Sequence, residues 1–403
     1  MRRVCVVGGG TAGREAALEA GRRGADVTIV ERFTHPDPPY QTWADLISCP
    51  GGGVHESELE SSGLVMAAEA RSAGPGAVVL SGGQKLTFDS VILATGARFL
   101  PSLFPGIRKR GVFVLDDAEK YRALGRACAS VNEAVISGEG RTGLQVAERM
   151  SGRGVKVRLA ISRWQFEPPS AVAFCVIEEA AQERCVEIQS GTVAGAVGDE
   201  RVEAALVEGS VLPCDALVVV PPRAPNVVHS RLRLGREGAV AVNSAMRTSE
   251  PSVYAAGGCA ELKTDAGWRT LGSEASLSGR IAGSNCLGSA HSIGRADVVE
   301  IRVFGLRWLR IGMGSGGADL CGKKVATVSR RWGEASACSI VHEVSSERVL
   351  GVESVQPSSS HAAGLPPLDA GVTLEALALG LGSSDISPIT ETARLGLKAW
   401  QRS

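Results

Sequence analysis

A glycine-rich hexapeptide, set between a short apolar run and a helical pattern, occurs twice in this chain and restricts its fold more than any other feature. The first copy is Gly8-Gly9-Gly10-Thr11-Ala12-Gly13. The apolar run Arg3–Val7 precedes it, and Ala16, Ala17, Leu18 and Ala20 follow at helical spacing over residues 14–23. A second strand is expected at residues 27–30, so the segment reads as one strand, helix, strand unit. In the pattern G-x-G-x-x-G the first glycine permits the tight turn, the second lets a diphosphate approach the backbone, and the third packs helix on strand. The helix N-terminus then meets the phosphate charge, and Glu31, eighteen residues beyond Gly13, can accept from ribose hydroxyls. A single match is weak in a chain with 50 glycines. The strand before it, the helix after it and the acid beyond make it specific.

The second copy, Gly138-Glu139-Gly140-Arg141-Thr142-Gly143, has the same setting, with Val135 and Ile136 ahead of a turn over residues 138–143. A helix over residues 144–150 and a strand over 155–161 complete the unit. No acid closes this strand: Ser162 and Arg163 stand there, so a 2′-phosphate can be accommodated and NADPH is favoured over NADH. The alternative is that Arg163 is a solvated strand end. Two such units in one polypeptide predict an α/β protein with two Rossmann-like dinucleotide-binding domains in series.

A length of 403 residues calls for two or three domains. Hydrophobic residues at 44% and charged residues at 21% exclude wholesale disorder. The 43 basic and 43 acidic residues leave no global field to gather nucleic acid or an anionic membrane. Met1-Arg2-Arg3 runs directly into Val4 with no apolar signal stretch, and no apolar run reaches membrane-spanning length, so a cytoplasmic protein is expected. The ten cysteines contain no C-x-x-C pair, which argues against a zinc ribbon or a thioredoxin-like centre. No metal site is expected, and most of the thiols are expected to be small buried hydrophobes.

Between the two units, residues 34–54 are rich in Pro and Gly around a short apolar stretch at 43–47, which predicts an irregular loop with one helical turn. Strands at 77–80 and 91–94 flank Ser81-Gly82-Gly83-Gln84 and read as a hairpin. Further strands are expected within 202–220 and at 253–256, and a helix at 276–287. From about residue 296 strand-like runs at 298–304, 325–328 and 349–355, with a helix near 374–381, mark a third domain.

Val91-Ile92-Leu93-Ala94-Thr95-Gly96, followed by Pro101 and Pro105-Gly106, and the later Val253-Tyr254-Ala255-Ala256-Gly257-Gly258 make nearly the whole chain resemble the pyridine nucleotide-disulfide oxidoreductase superfamily. Ile301-Arg302-Val303-Phe304-Gly305-Leu306 and Arg348-Val349-Leu350-Gly351 look like the C-terminal domain of its NADH oxidase and coenzyme A disulfide reductase branch. The resemblance implies an FAD-binding domain over residues 1–107 and 230–295, an NAD(P)-binding domain inserted into it over 108–229, and an α+β interface domain over 296–403 that forms a homodimer. FAD would lie against Gly8, Gly10, Thr11, Ala12, Gly13, Glu31, Arg32, Ala94, Thr95, Gly96, Gly257 and Gly258. NADPH or NADH would lie against Gly138, Gly140, Arg141, Thr142, Gly143 and Arg163.

The chain departs from the family pattern at several positions. Gly258 stands where an aspartate ordinarily binds the flavin ribityl chain, Gln145 where relatives carry a glutamate, and Pro222 where they carry a glycine. Loss of one charge-assisted hydrogen bond costs roughly 1.5 to 3 kcal/mol, or one to two decades of FAD affinity. No cysteine lies near Gln41, where the oxidase branch carries its redox thiol; Cys49, in Ser48-Cys49-Pro50-Gly51, is the nearest candidate for an attacking thiolate, against the alternative of a packed cysteine. Asp37-Pro38-Pro39-Tyr40-Gln41 offers a competing likeness to ferredoxin and rubredoxin reductases, with Thr42 in place of their arginine. Ser387-Pro388-Ile389 replaces the acid-base histidine segment of glutathione reductases, leaving His361 as a loop histidine.

The expected activity is FAD-dependent NAD(P)H oxidation: hydride passes from nicotinamide to flavin and then to a disulfide, a polysulfide, oxygen or a small electron carrier. The alternative is a flavin-binding or degenerate electron-relay subunit of a larger redox complex, with no turnover of its own.

Overall fold

The computed structural model describes residues 1–32, 47, 64–164, 167–228, 231–264, 267–294, 298–314, 323–346, 348–359 and 392–393. Cys49, Gln41, Thr42 and His361, together with the helix expected near 374–381, lie outside these residues. The chain divides into two compact units, one of Met1–Tyr40, Gly52–Leu100 and Arg223–Arg295, the other of Gln41–Gly51, Pro101–Pro222 and Ala296–Ser403.

The first unit is built on a parallel five-stranded sheet. Its order is Val253–Ala255, Ser90–Leu93, Arg3–Val7, Asp26–Glu31, Leu64–Ala67. Parallel neighbours need a crossover, and the helix Thr11–Arg22 supplies it between Arg3–Val7 and Asp26–Glu31. Both faces of such a sheet are covered, so its central strands read as continuous apolar runs: Val4 to Val7 and all of Ser90–Leu93 are buried. A second helix, Ala275–Asn285, lies along Thr11–Arg22 so closely that a methyl group on Gly279 or Gly283 would come within 3.0 Å of the backbone carbon of Ala12 or Ala16.

The run at 77–80 does not pair with the strand beginning at Ser90. Ala77–Leu80 lies between Ala70–Gly74 and Lys85–Thr87 in a small antiparallel sheet, whereas Ser90–Leu93 joins the parallel sheet beside Arg3–Val7. A short apolar strand carries no mark of its partner, and the partner here lies more than eighty residues upstream.

The second unit repeats the parallel arrangement with Val186–Ser190, Lys156–Arg163, Glu133–Glu139, Ala216–Val220 and Val112–Val114. It also holds a five-stranded antiparallel sheet of Val298–Val303, Leu306–Gly312, Val349–Pro357, Ser336–Glu343 and Val325–Trp332. The helix Ala171–Gln182 packs on that antiparallel sheet. Six of the eight described cysteines are buried thiols; Cys175 and Cys185 are exposed.

Candidate functional site

In the first unit the glycine turn is open. Gly8 adopts φ +105°, and a methyl group there would stand 2.8 Å from the carbonyl carbon of Ala94; on Gly13 it would stand 2.9 Å from that of Gly8. Both positions therefore tolerate only glycine, and they press the turn against Ala94. Gly10 is different: it is exposed, nothing lies within 4 Å of where its methyl group would be, and it caps the helix Thr11–Arg22 without a side-chain bond. The first-turn amides of a helix have no intrahelical acceptor. Here nothing stands within 4 Å of the place a Gly10 side chain would occupy, which leaves at this helix start the room a diphosphate requires. This turn fits the dinucleotide that the motif implies.

The segments expected around that turn are brought to it. Glu31 ends its strand and accepts the Gly9 amide at 2.5 Å, so its carboxylate sits at the turn. Arg32 is exposed and lies 3.9 Å from Glu69. Ala94, Thr95 and Gly96 leave the sheet beside Gly8, and Gly96 adopts φ +69°. Thr95 donates its hydroxyl to the Asn226 carbonyl, and the Asn226 amide donates to the Gly96 carbonyl at 2.9 Å. Asn226 thus fixes this bend, a role that nothing in its spacing announces. Gly257, at φ +71°, donates its amide to the Ser278 hydroxyl at 3.1 Å and would strike the Ala12 side chain if it carried a methyl group. Gly258 has room: a methyl group there meets Ala97 N at 3.4 Å and nothing closer.

The second glycine motif differs from the turn expected over 138–143. The strand continues to Glu139 and the helix Gly140–Ser151 begins at the next residue, so strand and helix join without an intervening turn. The register shifts between Gly138 and Glu139, and Glu139 pairs with Arg163. Gly138 lies against Val220 and Gly143 against Leu159, the close approaches that the first and third glycines exist to allow. Glu139 is 1% exposed, Thr142 is buried, and Arg141 is half-buried.

Gly140, the counterpart of Gly10, is buried beneath an aromatic ring. A methyl group on it would stand 2.6 Å from Cδ2 and Cζ3 of Trp164. As it stands, this turn does not admit a diphosphate against Gly140, because the indole occupies the space. Trp164 carries no periodic or motif signal, and its partner lies twenty-four residues upstream. Only the proximity of the strand end to the glycine motif could have pointed to it.

Among the described residues no cluster of His, Cys, Asp and Glu could hold a metal ion, and no helix is long and apolar enough to cross a membrane. Residues 2–279 match the family model described as pyridine nucleotide-disulphide oxidoreductase. An NAD(P)H coenzyme A polysulfide/persulfide reductase of Pyrococcus horikoshii is 27% identical over 322 residues, 71% of this chain and 70% of that protein. Putidaredoxin reductase of Pseudomonas putida is 32% identical over 203 residues, 46% of each chain. A solved NAD-dependent persulfide reductase from A. fulgidus superimposes with a TM-score of 0.84 at 23% identity, covering 99% of this chain and 84% of that one. Some curated relatives are matched over far less of their own length, 24% and 48% in two cases, so the chain spans about half of such a relative or less.

Proposed function

The chain belongs to the pyridine nucleotide-disulphide oxidoreductase family, and on that premise we propose that it is an FAD-dependent NAD(P)H oxidoreductase. Electrons pass to a disulfide, a polysulfide, oxygen or a small electron carrier. The observation that carries this reading is the open first turn, with Glu31, the bend at Ala94, Thr95 and Gly96, and the Gly257-Gly258 pair gathered around it. FAD and a nicotinamide dinucleotide, when bound, supply the hydride chemistry.

The residues of the chain bind and orient. The amides at the start of Thr11–Arg22 hold the FAD diphosphate, Glu31 accepts from its ribose, and the absence of side chains at Gly257 and Gly258 leaves the flavin chain room. The second motif, Gly138, Gly140, Arg141, Thr142 and Gly143 with Arg163, is assigned to NADPH or NADH, with NADPH favoured. We assign residues 1–107 and 230–295 to FAD binding, 108–229 to the nicotinamide dinucleotide and 296–403 to a dimer interface, in a cytoplasmic protein. Cys49 remains the candidate thiol for a disulfide or polysulfide acceptor.

A second reading has two observations in its favour: Gly258 lacks the ribityl-binding carboxylate and Trp164 covers Gly140, as they would in a subunit that relays electrons without independent turnover. Anaerobic titration of the purified protein separates the two. The oxidoreductase shows a flavin spectrum that bleaches with NADPH or NADH and recovers with one of coenzyme A disulfide, polysulfide, oxygen or ferredoxin. Colourless protein that ignores added FAD would refute it.

A further inference from the structure

Trp164 follows the strand Lys156–Arg163 and rests on Gly140 at the start of the helix Gly140–Ser151. Its ring also makes two edge-to-face contacts, with Phe174 at 6.4 Å and 84° and with Trp308 at 6.5 Å and 72°. Trp308 belongs to the antiparallel sheet and is 1% exposed. Its indole Nε1 donates to Glu353 at 2.6 Å.

That carboxylate is also fastened to the chain beyond Trp164. The Ser170 amide donates to both Glu353 oxygens at 3.1 Å, and the Ser170 and Ser339 hydroxyls are 2.8 Å apart. Glu167 is gripped by the same sheet: Arg310, 4% exposed, donates to its carbonyl at 3.0 Å, and the Gly314 amide donates to its carboxylate at 2.6 Å. Residues 167 and 170 are therefore anchored to the antiparallel sheet, and the tryptophan just ahead of them is wedged between that sheet and the glycine motif. The equivalent space at Gly10 is open. A helix N-terminus takes a diphosphate through its backbone amides, and an aromatic ring in van der Waals contact with the first residue excludes it.

We propose that Trp164 is a gate on the second glycine motif, seated by Trp308 and Glu353, and that a dinucleotide diphosphate enters only when the ring leaves Gly140. This rests on the reading that the second motif takes NADPH or NADH. The seating residues thereby set coenzyme affinity without touching coenzyme. A gate open one-tenth of the time raises the apparent dissociation constant about tenfold, and removal of the ring recovers that factor.

The test is calorimetric titration of the purified full-length protein with NADPH and with NADH, for wild type, Trp164→Ala and Trp308→Phe. Trp308→Phe keeps an aromatic partner but loses the donor to Glu353, so it loosens the seat and leaves Trp164 in place. The expected result is binding tightened about tenfold in Trp164→Ala and by a smaller factor in Trp308→Phe. In protein carrying 5-fluorotryptophan, the ¹⁹F resonance that disappears in Trp164→Ala should shift on addition of dinucleotide. A ring with a merely structural part would not move. Equal affinities with an unshifted resonance, or weaker binding in Trp164→Ala, overturn the gate and leave the coenzyme assignment intact. Failure of all three proteins to bind either dinucleotide at millimolar concentration overturns the assignment together with the gate.

Discussion

Glu31 shows what a single side chain contributes when the backbone has already made the cradle. Its carboxylate accepts the Gly9 amide, and under the proposed FAD assignment it also meets the ribose, so Glu31→Ala would remove that sugar contact without deleting a core hydrophobic side chain. The expected outcome is FAD retention lowered about tenfold or more after gel filtration, a far larger effect than the modest fall in apoprotein melting temperature that loss of the Gly9 hydrogen bond brings. Unaltered flavin occupancy would remove the ribose role. Gly258 permits the opposite experiment. A Cβ there meets its neighbours at ordinary contact distance and the backbone is outside the left-handed region, so the site admits the first side-chain atom of Gly258→Asp. That variant should hold FAD roughly tenfold more tightly by equilibrium dialysis; equal or weaker binding would show that the family's aspartate has no counterpart site here. Gly8, Gly13 and Glu31 were readable because each is required at a fixed distance from the others. Asn226 and Trp164 were not, because each acts on a segment far away in the chain, and no local spacing records that.

At the scale of elements, the packing of Ala275–Asn285 on Thr11–Arg22 depends on glycines that let two helix backbones touch. Gly283→Val would force its branched side chain to within 3.0 Å of the Ala16 backbone, and overpacking of this kind costs about 1 to 3 kcal/mol. Urea denaturation should show a lowered midpoint, with FAD affinity also reduced if Ala12, on the same helix, lines the FAD site as proposed; an unchanged midpoint would mean that the helices separate freely. The strands and helices of the parallel sheets were mostly visible in sequence, since buried strands are continuous apolar runs and the crossover helices have a 3.6-residue period. The hairpin expected from 77–80 and 91–94 failed for the complementary reason. Chain proximity and a glycine turn favoured pairing of neighbours, whereas burial on both faces placed Ser90–Leu93 between Arg3–Val7 and Val253–Ala255. The junction at Glu139-Gly140 differs from the expected turn because the glycine pattern is the same whether the strand stops before it or runs through it.

For the molecule as a whole, the buried thiols give stability a direction in pH. Burial pushes Cys5, Cys286 and Cys338 from the ordinary 9.0 up to about 12. In the unfolded chain these groups lose their protons near the ordinary value. The unfolded state therefore binds fewer protons than the folded one between about pH 9 and pH 12, and stability falls across that window. Melting temperature should be flat from neutral pH to about pH 9 and then decline, and iodoacetamide at about pH 8 should label Cys175 and Cys185 while sparing those three. Labelling of Cys5 or Cys338 in the native protein would contradict the burial.

The edge strand Val253–Ala255 and the helix that follows it complete a sheet whose other strands all lie before residue 94. On the ribosome, about a hundred and sixty further residues emerge before that sheet can close, and throughout this interval Ser90–Leu93 has a bare backbone edge and Thr11–Arg22 an uncovered small-residue face. Until then that edge is open to pairing with other chains, and truncation anywhere before residue 253 should yield insoluble protein rather than a smaller nucleotide-binding domain.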